Sequence, residues 1–140
     1  MRLFIYNIIV YLILPLTIIK LVYRGIKNKD YLKGWSERFA IYPVSEKNKW
    51  LKRKTLWIHC VSVGETKAIY TLLEQLQKKY PRAHFLITHG TPTGKKVTLP
   101  KNKNIHRAYL PYDAFDLVRR FLKFYRPTVC ILLEKEIWPN

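Results

Sequence analysis

Glu65 is the side chain with most chemistry to offer, because of what stands on either side of it. It closes the run Ser62-Val63-Gly64-Glu65, which follows the apolar, partly β-branched stretch Thr55-Leu56-Trp57-Ile58-His59-Cys60-Val61. That stretch suits a buried strand. Beyond Glu65 the apolar residues Ile69, Leu72, Leu73 and Leu76 recur at i, i+3, i+4 and i+7, one face of a helix. The carboxylate is therefore expected where a strand's carboxyl end meets a helix N-terminus. In open α/β sheets that crevice is where ligands bind. Catalysis there would mean proton transfer by a carboxylate. The spacing Ser62-x-x-Glu65 equally satisfies a capping box, in which the serine accepts a backbone N–H and the glutamate reaches back. The residues themselves leave both roles open.

The elements around this run repeat a strand–helix pattern. Strands are expected over residues 55–61, 84–88, 105–110 and 128–133. A helix start is expected at Thr91-Pro92-Thr93-Gly94, with Thr91 as cap and Pro92 at the first helical position. Another follows Pro111-Tyr112-Asp113, with Asp113 as cap and Phe115, Val118 and Leu122 on the inner face. Alternating strands and helices imply an α/β fold, a parallel sheet covered on both faces. In such a sheet the loops at 62–65, 91–94, 112–113 and 134–140 emerge at one edge and form one candidate site. Of nine acidic residues, five (Glu65, Asp113, Asp116, Glu134, Glu136) lie at or just past those strand ends. Asp113 and Asp116 read as helix caps. Glu134 and Glu136 flank Lys135 with no helical pattern after them, and stay open between a solvated loop and the site.

The chain carries a formal charge of +17 in 140 residues, which points to a polyanionic partner. Residues 3–19 are nearly unbroken hydrophobe, and the run extends to Tyr23. With no small-residue cleavage site, it reads as a single retained anchor, a transmembrane or deeply inserted helix, the rival reading being a helix that lies in the interface. Arg2 precedes it and Lys20, Arg24, Lys27, Lys29 and Lys33 follow, which places the body on the cytoplasmic side. Cations crowd from 20 to 54, interleaved with Tyr31, Trp35, Phe39 and Tyr42 at helical spacing. That segment fits anionic headgroups, or an aromatic stripe packed on the body. A polar linker is expected at 43–54. No recognised motif makes the charge a nucleic-acid site. Cys60 and Cys130 both lie in apolar strands and are expected buried and reduced. The organisation is thus an anchor (1–23), a basic-aromatic juxtamembrane segment (24–54) and an α/β unit (55–140).

Several blocks occur in an order that carries a resemblance. They are Tyr11-Leu12-Ile13-Leu14-Pro15-Leu16, Arg24-Gly25, Trp35-Ser36-Glu37-Arg38, His59-Cys60-Val61-Ser62-Val63-Gly64-Glu65, Thr91-Pro92-Thr93-Gly94, Tyr109-Leu110-Pro111-Tyr112-Asp113 and Glu134-Lys135-Glu136-Ile137-Trp138-Pro139-Asn140. Together they resemble the N-terminal part of the 3-deoxy-D-manno-octulosonic acid (Kdo) transferases of Gram-negative bacteria. The resemblance implies an inverting, metal-independent glycosyltransferase of the two-Rossmann-domain GT-B kind, anchored on the cytoplasmic face of the inner membrane. It implies transfer of Kdo from CMP-Kdo to the lipid A precursor, lipid IVA, in lipopolysaccharide synthesis, with no cofactor.

Residue by residue, Glu65 matches the family's catalytic base and Glu134 the first acid of its Glu-Thr-Glu block. Ser62, Gly64, Thr91, Thr93, Gly94 and Glu136 fall in the matching loops as substrate-binding positions. Lys135 stands where threonine is usual, and His89-Gly90 where the family has other side chains. On this reading the chain holds an incomplete N-terminal Rossmann-like half without the nucleotide domain. Alone it is expected to be inactive, or to act as a non-catalytic membrane-surface protein.

Overall fold

In the computed structural model, which describes residues 2–134 and 138–140, the apolar runs form four strands. They are β1 (Thr55–Cys60), β2 (His84–His89), β3 (Ile105–Tyr109) and β4 (Pro127–Leu132). All pairs are parallel, in the order β3-β2-β1-β4. The helices are α1 (Arg2–Lys27), α2 (Trp35–Arg38), α3 (Val44–Leu51), α4 (Val63–Lys79), α5 (Pro92–Lys96) and α6 (Phe115–Tyr125).

Side-chain alternation along each strand divides the core in two. Ile58, Cys60, Phe85 and Ile87 point to one face, where Ile69 and Leu73 of α4 cover them. Trp57, Leu86 and Ala108 point to the other, against Phe121, Phe124 and Tyr125 of α6 and Trp50 of α3. The sheet is thus covered on both faces, as the strand–helix alternation implies.

Three local expectations are corrected. The inner face of α6 is Leu117, Phe121, Phe124 and Tyr125, whereas Phe115 and Leu122 are exposed and Val118 half-buried. Neither Asp113 nor Asp116 caps α6: Ala114 is the cap residue, and the first free N–H there, that of Phe115, is met by Asn7 of α1. The Asp113 carboxylate is instead engaged by the Tyr6 hydroxyl at 2.7 Å, a partner 107 positions away. Cys130 is exposed, because β4 is an edge strand, while Cys60 is buried as expected.

The basic-aromatic stretch is not one helix. It is a 3-10 turn (Lys29–Leu32), α2, a break at Ala40 with φ of 51°, and α3 in place of the linker. Its aromatics pack on the body: Phe39 against Tyr112, Tyr42 against Phe124 and Tyr125. Trp50, 1% exposed, is part of the core.

Helix α1 is long and apolar enough to cross a membrane. One stripe of it faces the body. Tyr6 bonds Asp113, Tyr11 donates to Asp116, and Asn7 accepts from the backbone N–H of Phe115 at 3.2 Å. Leu21 and Gly25 are buried further along, Gly25 against Leu32. Its outward residues, among them Phe4, Leu12, Leu16 and Ile19, are exposed.

Candidate active site

Glu65 stands at the third position of α4, on the end of the central strand β1. The capping box is complete. Ser62 Oγ accepts from Glu65 N at 3.2 Å. The carboxylate accepts from Ser62 N at 3.0 Å with one oxygen and from Val61 N at 2.9 Å with the other. Each oxygen retains a lone pair for a further proton. Burial pushes this carboxyl up, but the bonds from Ser62 and Val61 and the neighbouring His59 outweigh it and hold it below its ordinary value. It is ionised at neutral pH and fixed in direction.

Ser62 and Gly64 beside it are exposed. A Cβ at Gly64 would approach only Ser62 Oγ, at 3.8 Å, so the space in front of the loop is open to a ligand.

The 91–94 loop closes onto the same edge. Thr91 caps α5 by accepting from Gly94 N at 3.2 Å, and its hydroxyl reaches Val61 O at 3.3 Å. Gly94 lies so close to Ser62 that a Cβ there would sit 3.4 Å from Ser62 O. The exposed Thr93 donates to Thr91 Oγ1 at 3.2 Å. From below, Arg107 donates to Gly94 O at 2.9 Å and Val97 O at 2.5 Å, and to His89 Nε2 at 3.2 Å. The loop is held by the sheet, not merely adjacent to it.

The remaining loops meet beside β1. Trp138 lies edge-on to His59, 4.8 Å between ring centres, and Asn140 donates to Asp113 O at 2.9 Å. Thr88 Oγ1 takes the indole N–H of Trp57 at 2.7 Å and lies 2.7 Å from His59 Nδ1. Burial pushes His59 down to about 4, so the ring is neutral.

Glu134 is exposed just past β4. β4 ends at Leu132, whose pair is His59, so Glu134 lies two residues past the strand, at the carboxyl edge that also carries Glu65. No hydrogen bond joins Glu134 to Glu65 among the described residues. Glu136 lies outside the described residues.

Residue-level reading passed over Arg38, Glu37 and Lys95. Glu37 accepts from Tyr109 N at 2.7 Å and Lys95 at 2.6 Å, so α2 is tied to the end of β3 and to α5. Arg38 is buried against the Tyr109 ring and donates to Gly90 O at 3.1 Å. The available signal was the pair of charges in Trp35-Ser36-Glu37-Arg38 just before a chain break.

Comparison with known proteins places these features in a family. Residues 33–140 match the family model described as 3-deoxy-D-manno-octulosonic-acid transferase. The chain is 31% identical to 3-deoxy-D-manno-octulosonic acid transferase of Haemophilus influenzae over 138 residues, covering 98% of this chain and 32% of the relative. It is 30% identical to the enzyme of that name from Rickettsia bellii over 136 residues, covering 96% and 32%. A Rickettsia felis relative of the same name is 39% identical over 88 residues, 62% of this chain and 19% of its own. No solved structure matches the chain. The chain spans about a third of the length of the first two relatives. By the family match and the coverage of these relatives, this chain belongs to the 3-deoxy-D-manno-octulosonic-acid (Kdo) transferase family.

Proposed function

We propose that the chain forms the acceptor side of a Kdo transferase in lipopolysaccharide synthesis, with Glu65 as its general base. The observation that carries this is the ionised Glu65 carboxylate, locked by two backbone N–H groups beside an open, glycine-floored edge of the sheet. In the reaction, a hydroxyl oxygen of the lipid IVA acceptor attacks the anomeric carbon of Kdo. The bond from that carbon to the phosphate oxygen of CMP-Kdo breaks, and CMP leaves with the electron pair. The hydroxyl proton passes to Glu65. Attack opposite the leaving group inverts the anomeric centre.

A second carboxylate, Glu134, faces the developing positive charge on the sugar ring. Ser62, Thr91, Thr93 and Gly94 shape the edge against which the acceptor lies, with Glu136 assigned to the same role. The proposed frame is GT-B: the parallel sheet is one Rossmann-like half, the nucleotide is held by a second domain, and neither a metal nor a cofactor takes part. The proposed division is anchor 1–23, juxtamembrane 24–54 and α/β unit 55–140.

Localisation follows from α1 and the cations after it, on the cytoplasmic face of the inner membrane. Because Tyr6, Asn7 and Tyr11 are engaged by the body, we favour a helix lying in the interface with its outer face among lipid tails.

The test is Kdo transfer to lipid IVA by the enzyme in its native membranes. Glu65→Gln should lower turnover on the order of a hundredfold while protein level and lipid binding persist. An unchanged rate removes Glu65 from the mechanism. A second reading, a non-catalytic membrane-surface protein, draws on the exposed apolar face of α1. It predicts salt-sensitive binding to anionic vesicles with no transfer dependent on Glu65 or Glu134.

A further inference from the structure

Val61, whose N–H holds Glu65, also lines a cleft of about 270 Å³, and two polar atoms of its lining residues are left without hydrogen-bond partners. Arg38 is 8% exposed. Its Nη2 donates to Gly90 O, but Nε is buried with no acceptor. Asp113, which also lines the cleft, accepts from Tyr6 with Oδ2, whereas Oδ1 is buried with no donor. No ion pair joins the two among the described residues, although both line the cleft. A buried charged group with an unmet bond costs more than the usual 1–3 kcal/mol of an orphaned polar atom. Such atoms in a native fold call for a partner.

The walls say what kind of partner. Trp57, His59, Tyr112 and Trp138 supply aromatic surface, which suits the apolar face of a sugar ring. The volume lies at the small end for ligand pockets, room for about one ring and not for an acyl chain. The walls are also set in advance. Tyr112 N donates to Arg38 O at 3.1 Å, and Asn140 holds Asp113 O at 2.9 Å.

We propose that this cleft is a subsite for one sugar bearing an anionic group, a carboxylate or a phosphate. Arg38 donates to the anion, Asp113 Oδ1 accepts from a ring hydroxyl, and Tyr112 and Trp138 flank the ring. The proposal rests on the reading of the Glu65 edge as the transfer site, since it identifies that site's neighbouring ligand position.

The experiment is direct binding, followed by calorimetry and tryptophan fluorescence, to the full chain in detergent. The probes are Kdo, N-acetylglucosamine 1-phosphate, neutral N-acetylglucosamine and inorganic phosphate. One anionic sugar should bind saturably, and the neutral sugar about tenfold more weakly or less. Preference for Kdo would assign the subsite to the donor's sugar, and preference for the sugar phosphate to the acceptor's. Arg38→Gln should weaken the anionic sugar about tenfold or more, with partial recovery in Arg38→Lys. Asp113→Asn should weaken the sugar but not inorganic phosphate.

Equal binding of the neutral sugar, no saturable binding of either anionic sugar, or an unaffected Arg38→Gln would each overturn the proposal. Should Arg38→Gln lose its cooperative melt, Asp113→Asn decides alone. Transfer measured in Glu65→Gln is a separate readout. Absence of sugar binding with Glu65-dependent transfer sinks the subsite only, and the reverse pattern sinks the assignment of the base.

Discussion

Glu65 shows how one set of bonds serves two ends. The backbone N–H groups that complete the helix cap also hold the carboxylate ionised and aimed, so capping and catalysis are not competitors at this position. The shift is downward, so the base is charged over the whole neutral range. It is lost only when acid falls past a value below the ordinary glutamate pKa of about 4.3. Transfer is accordingly expected to be flat from about pH 5 upward as far as this group controls it, which a pH–rate profile would check. Ser62→Ala removes the first of the bonds that lower the pKa. It should move the acid limb upward and cost about 1 kcal/mol in a melt, the usual worth of a lost N-cap. A limb that stays in place would mean that the backbone N–H groups suffice.

Among the elements, the four strands could be read from the chain because runs such as Thr55–Cys60 and His84–His89 are apolar on both faces, and only a sheet covered twice buries them. The face of α6 could not. Phe115, Val118 and Leu122 make as good an apolar stripe as Leu117, Phe121 and Phe124, and the choice was made by Trp57 and Trp50 in the layer opposite. Nor could the partner of Asp113, which arrives from α1 across the whole length of the chain. The site was legible where it is local, in the 62–65 and 91–94 loops. It was hidden where distant segments supply it, as Arg38 does. Two outcomes test the elements themselves. Burial pushes both thiols up, Cys130 to about 11 and Cys60 to about 12, so access decides: exposed Cys130 should react slowly with a maleimide in the native state, and buried Cys60 only on unfolding. Replacing Tyr6 and Tyr11 together by phenylalanine should raise amide exchange in the first half of α1 on the order of tenfold, as the helix lifts from α6.

The molecule as a whole carries an acid sensitivity that no single loop reveals. Burial pushes His59 down to about 4 and His89 down to about 3, while an unfolded histidine titrates near 6.5. Between those values the unfolded chain binds protons that the folded chain refuses, so stability is whole above about pH 6.5 and drains away as pH falls toward 4. The slope is at most about 1.4 kcal/mol per pH unit for each group. Melting temperatures from pH 7 to pH 4.5 should fall accordingly, and less steeply in His89→Gln, whose amide can still accept from Arg107. The strand order β3-β2-β1-β4 has a further result, in the time course of synthesis. The first of the four strands made is interior to the sheet, and its neighbour on one side is the fourth. As the chain leaves the ribosome, β1 can join β2 and then β3 while its other edge waits through more than sixty residues for β4. During that wait, the backbone that ends in Val61 and Ser62 is an open template for any passing strand.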